Sequence, residues 1–157
     1  MSTRAYRILE AIAARLNAVA VGVDAVPLAQ IYIGREDLEA DDVNSFPCAS
    51  VIEVGESTLE SQRDRQRAEL DVDVVMITRS NPDAPLAAGH ELWEAGMKAL
   101  FPTAADYGTG TDRLGGLARS ISYNGRAIAP REDGGITTSV LINLRVEYLL
   151  HVTNPSQ

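Results

Sequence analysis

Between Arg67 and Ile77 the chain alternates with period two. Ala68, Leu70, Val72, Val74 and Met76 are apolar, and Glu69, Asp71 and Asp73 stand between them. Successive strand side chains point to opposite faces, so this run predicts a strand with one face on a core and the other toward solvent. The alternation then changes. Val75 and Ile77 are apolar on the otherwise polar side. The second half of the strand is therefore expected to be covered twice, by the core and by another element or subunit.

Other stretches carry their own signals. Leu9, Ile12, Leu16 and Val19 keep helical spacing, so a first helix is expected to about Ala18 with Ser2 or Thr3 as its cap. Arg4, Arg7 and Arg15 fall off that stripe. Residues 28–34 (LAQIYIG) read as a short strand, and residues 35–45 as an acidic connection. A second strand is expected over 46–55, with Pro47 at its start, where a missing N–H is tolerated. Residues 56–66 have no buried-face pattern and read as an exposed loop or hairpin excursion. After SNPDAP, with Asp83 as a cap and Pro85 in the first turn, a second helix places Leu86, Gly89, Trp93, Met97 and Leu100 on one stripe. Glu94 and Lys98 lie at i, i+4 on its outer side. Phe101-Pro102 ends it. A Gly-rich loop follows to about residue 116, then a strand over 117–123, a turn at Asn124-Gly125 and a long last strand over 136–152.

Two helices cannot cover both faces of such a sheet. The pattern predicts an α+β fold: a mostly antiparallel, mixed sheet of about five strands with two helices packed on one face. No repeat or linker interrupts residues 1–157, which read as a single domain.

Composition changes this picture in one respect. The chain carries a net charge of −8. Between Glu36 and Asp73 twelve acids face only Arg63, Arg65 and Arg67, so this segment supplies all of the excess. Such a surface repels phosphate and argues against gripping nucleic acid. No apolar run is long enough to span a membrane. The first residues lack a signal-peptide core, so a cytoplasmic site of synthesis and use is expected. The single cysteine, Cys48, lies in an apolar strand and reads as a buried thiol.

Chemistry is sparse. His90-Glu91-Leu92-Trp93-Glu94 begins like a zinc-protease helix, but Glu94 occupies the position of the second histidine. Gly108-Thr109-Gly110 and Gly115-Gly116 lack the spacing and the following Lys-Ser/Thr of a phosphate loop. Asp71 and Asp73 share one strand face, where a solvated pair is the plainer reading than a hydrolytic or metal-binding one. No catalytic residue, metal or cofactor is expected.

The succession of elements resembles one family. It comprises an opening amphipathic helix, an IYIG strand, FPCASVIEVGE, an Arg-rich loop into RAELDVDVVMITRS, the helix DAPLAAGHELWEAGMKAL, the segment TDRLGGLARSI and a closing strand ending in VEYLLHV. Taken together these look like the tail terminator (tail completion, minor tail U-type) proteins of long-tailed bacteriophages, over nearly the whole chain. The resemblance implies a structural virion protein at the head-proximal end of the tail, assembled in the host cytoplasm. It implies a homo-oligomeric ring, typically a hexamer, that caps the tail tube, ends its polymerisation and meets the head-side connector or neck protein. DNA would pass through without being specifically bound. No catalytic residue carries over.

Cyclic rings need two different complementary patches on each subunit. Arg63, Arg65, Arg67, Val75, Ile77, Asp106, Asp112 and Arg113 are the expected subunit or tail-tube contacts. Asp41, Asp42, Asp71 and Asp73 are the expected DNA-repelling acids of the lumen. Three rivals stand beside this reading: a head–tail adaptor or neck ring protein, a small cytoplasmic enzyme with a site around Asp71, Asp73 and His90, and a stand-alone binding module of the bacterial cell.

Overall fold

A computed structural model describes residues 2–38, 46–80, 83–103, 106–130 and 137–157, and for 108–112 the backbone alone. The elements run α1 (Arg4–Arg15), a 3₁₀ turn (Leu16–Ala18), β1 (Gln30–Ile33), β2 (Cys48–Gln62), β3 (Arg65–Arg79), α2 (Pro85–Leu100), β4 (Gly108–Arg113), β5 (Ala118–Pro130) and β6 (Thr137–His151). The six strands form one sheet in the order β1-β2-β3-β6-β5-β4. Only β1 pairs in parallel, with β2. The fold is therefore α+β with a mixed, mostly antiparallel sheet, as the residue pattern predicts.

The alternation of β3 maps directly onto the layers. Ala68, Leu70, Val72, Val74 and Met76 are fully buried, together with Val140, Ile142, Leu144 and Val146 of β6. Both helices cover this face: α1 lies against β1 and β2, and α2 against β3, β5 and β6. Ile8, Leu9 and Ile12 of α1 and Leu92 and Leu100 of α2 complete the core. Each such side chain contributes about 1.5–3 kcal/mol when removed from water.

Several expected boundaries shift, each for a physical reason. Residues 56–62 continue β2, because β3 offers a full antiparallel partner as far as Gln62↔Arg65. The excursion is thus a long hairpin with a two-residue turn. Asn124-Gly125 does not turn the chain. It sits inside β5 as a bulge opposite β6, with Gly125 at φ 147°. The Gly-rich loop contains the short sixth strand β4.

The buried stripe of α2 is Gly89, Leu92, Gly96 and Leu100, with Leu86 about half exposed. Small residues let the helix sit close to the sheet, so the larger Trp93 and Met97 move to its flank. The N-cap of α2 is Ala84 rather than Asp83, and no side chain caps it. Instead the Thr138 hydroxyl donates to the Pro85 carbonyl at 3.1 Å and ties the first turn to β6.

Thr3 does cap α1, accepting from the Tyr6 N–H at 3.2 Å. The arginines of α1 are anchors rather than idle surface. Arg4 donates to the carbonyls of Leu117 and Gly116 at 3.1 and 3.0 Å. Arg7 donates to the Ser156 carbonyl. Arg15 donates to the Leu100 carbonyl at 2.6 Å, where a cation suits the negative end of α2.

Candidate functional site

The face of the sheet away from the helices is where the strands place most of their polar side chains. Cross-strand register decides which of them meet. Asp71 lies opposite Arg145, Asp73 opposite Asn143, and Glu69 opposite Glu147. The two glutamates would repel, and each finds an arginine one step away. Arg67 donates to Glu147 at 2.6 Å and to Glu60 at 3.2 Å. Arg145 donates to Glu69 at 3.0 Å. The hydrogen bond to Glu147 is also the main cause that raises the Arg67 pKa above its ordinary value.

Asp71 and Asp73 are held by an amide. The Asn143 side-chain nitrogen donates to Asp71 at 2.6 Å and to Asp73 at 2.8 Å. Its oxygen accepts from Asn124 of β5 at 2.8 Å. The two carboxylates are thus half-buried members of a polar ladder across β3, β6 and β5. Among the described residues no group of three or more His, Cys, Asp and Glu could hold a metal ion. His90 is exposed on α2, which packs on the opposite face of the sheet from Asp71 and Asp73. The convergence that an enzyme at these three residues would need does not occur.

The other end of this face is apolar. Ile77 is buried with Cys48 under Leu38, and Tyr32, Phe46 and the half-buried Val75 pack against them. The second cover expected over this half of β3 thus comes, for Ile77, from the chain's own segment after β1. Burial pushes the Cys48 thiol up to about 11, against a smaller lowering by Arg35. It is a protonated core residue at neutral pH.

The expected contact residues fall in separate places. Arg63 occupies the β2–β3 turn at φ 57°, and Arg65 begins β3 beside it. Asp106 is distant in role as well as position. It accepts from the Thr103 N–H at 3.0 Å and hydroxyl at 2.7 Å, and it meets Arg15 at 3.5 Å. The Thr103 hydroxyl is the main cause that lowers its pKa. Arg113 donates to the Tyr107 carbonyl at 3.1 Å. These two residues brace the chain between α2 and β4. Asp41, Asp42 and the Asp112 side chain lie outside the described residues.

Two depressions mark the ends of the helix-free face. One, of about 220 Å³, is lined by Glu60, Gln62, Arg65, Arg67, Arg119 and Leu149. The other, of about 280 Å³, is lined by Glu36, Asp37, Leu38, Val75, Ile77 and Ser139. Arg119, Leu149 and Leu38 were not singled out by sequence pattern, and Glu36 only as the start of the acid-rich segment. Only the pairing of β3 with β6 and of β6 with β5, and the fold-back of the segment after β1, bring them here.

No family model and no curated protein matches this chain. Among solved structures, a chain from the virion of a native gene transfer agent particle is similar to it. That chain is 13% identical over 94% of this chain and 92% of its own length, with a TM-score of 0.47.

Proposed function

We propose that the chain is a structural subunit of a phage-like virion, a tail terminator that assembles with copies of itself into a ring. The ring caps the tail tube at its head-proximal end, stops polymerisation and presents a surface to the head-side connector or neck protein. The observation that carries this reading is the one-sided architecture. Both helices lie on one face of the sheet, and the opposite face ends in the long β2–β3 hairpin, whose β2 strand is exposed from Glu53 to Gln62. A face of that kind suits a protein that works by contact. The element order agrees with the family that the sequence resembles. The net charge of −8 suits a channel through which DNA slides without being held.

The test is electron microscopy of the protein mixed with its tail-tube protein. Tubes of uniform length, each closed at one end by a ring, are the expected result. Tubes that grow on unchanged would overturn the terminator role. Rings on the neck in place of the tube end would move the assignment to a head–tail adaptor.

A further inference from the structure

The two depressions on the helix-free face are opposite in charge and similar in build. The hairpin end presents three arginines against the single Glu60, over the apolar side chain of Leu149. Arg67 is already committed to Glu147 and Glu60. Arg65 and Arg119, and Arg63 in the adjoining turn, are exposed and have no carboxylate partner among the described residues. The far end presents Glu36 and Asp37 over Leu38 and Val75. Ten residues of β3 separate Arg65 from Val75, a span of about 33 Å. The two sites therefore cannot satisfy each other within one chain.

We infer that the partner of this face is a second copy of the chain, with the arginine-lined hairpin end of one subunit seated against the Glu36–Leu38 end of the next. The inference rests on the ring-subunit reading and names its contact. Charge complementarity selects the occupant. Among the lining residues, Arg65, Arg67 and Arg119 outnumber Glu60 at the hairpin depression, whereas Glu36 and Asp37 are the charged residues that line the far one. The apolar floors, Leu149 at one end and Leu38 with Val75 at the other, give each ionic rim a surface to exclude water from. Each copy offers both halves of the contact, so one pairing leaves a basic and an acidic end unfilled. Addition of copies continues until the ends meet.

Charge reversal with cross-complementation tests this. One variant carries Arg63→Glu and Arg65→Glu, and the other carries Glu36→Arg. Arg67 is kept, because a carboxylate there would face Glu147 and Glu60 inside the subunit. All changed side chains are exposed, and circular dichroism verifies the fold. In analytical ultracentrifugation at low salt the unaltered protein is expected to self-associate. Each variant alone should sediment as a monomer, with association weakened at least tenfold. An equimolar mixture should regain association, because each mutated patch then meets its opposite. Variants that associate as well as the unaltered protein, or a mixture that stays monomeric, would overturn the contact. A monomeric unaltered protein would overturn it as well. Capping of tail tubes by the same preparations is scored separately. Capping by a protein whose reversals have no effect would leave the terminator role standing and sink only the contact. Restored self-association without capping would do the reverse.

Discussion

At the scale of single residues the helix-free face is governed by cross-strand partners. Asn143 is the clearest case. One amide nitrogen serves two carboxylates, so Asp71 and Asp73 sit side by side without a cation between them. Asn143→Asp would replace that donor by a third negative charge. It is expected to destabilise the fold by about 1–2 kcal/mol at neutral pH, as befits a half-buried polar network. Urea unfolding at pH 7 would measure this, and a variant as stable as the unaltered protein would refute the role. Cys48 makes a prediction at the other end of the scale. Its folded pKa of about 11 lies above that of an exposed thiol. The stability due to the neutral buried thiol is present below about pH 8.5 and fades as pH rises toward 11. Cys48→Ala should therefore flatten the decline in stability between pH 8.5 and 10.5. In the native protein at pH 7.5, thiol reagents should label Cys48 only as fast as the chain unfolds.

At the scale of elements, period-two alternation was readable wherever one sheet face was apolar and the other polar. It located β3 and β6 to within about two residues of their ends. It failed for the outer half of β2, where residues 53–62 are exposed on both sides and no face is marked by hydrophobicity. Pairing with β3 alone keeps that half extended. Helical spacing placed Gly89 and Leu100 on the α2 stripe but put Trp93 and Met97 where Leu92 and Gly96 are buried, since Gly96 looks like a gap in a hydrophobic pattern. Gly89 and Gly96 are where the helix leaves no room for a β-carbon against the sheet. A β-carbon at Gly89 would stand 2.4 Å from Ile128 Cγ2 and 3.0 Å from Thr138 Cγ2. At Gly96 the nearest atom would be Met76 Cε at 2.6 Å, the free end of a flexible side chain. Gly89→Ala is expected to cost about 1–3 kcal/mol, more than the helix propensity it gains. Gly96→Ala should fall within about 1 kcal/mol of neutral, because Met76 can swing aside. Thermal melts of the two variants would check the order, with about 3 °C expected per kcal/mol in a domain of this size. A larger loss at Gly96 would show that Ile142, rather than Met76, sets the clearance.

At the scale of the whole molecule, the candidate site was legible only in part. The arginine run and Val75 could be picked out because they break a local pattern. Arg119, Leu149 and Leu38 could not, because none departs from its own neighbourhood and only strand order and the fold-back after β1 bring them to the depressions. Asp106 and Arg113, named among several expected contact regions, also brace the passage from α2 into β4. An ionic contact between copies also has a signature in salt. Raising ionic strength from about 0.01 M to 1 M shortens the screening length from about 30 Å to 3 Å. Self-association through the arginine-lined end should fall steeply over that range, while the melting temperature of the single subunit changes little. Sedimentation insensitive to salt would point to an apolar contact elsewhere on the surface.

The sheet order has a consequence for how the chain comes into being. β6 is the last strand in the sequence, yet it joins β3 to β5 and so bridges the two halves of the sheet. Until it emerges from the ribosome, the early hairpin and the β4–β5 pair share no hydrogen bonds. Leu149 and Ser139, both from β6, complete the two depressions only when that strand has been inserted. In the contact proposed above, a chain therefore offers both halves of the partner surface only once β6 is paired.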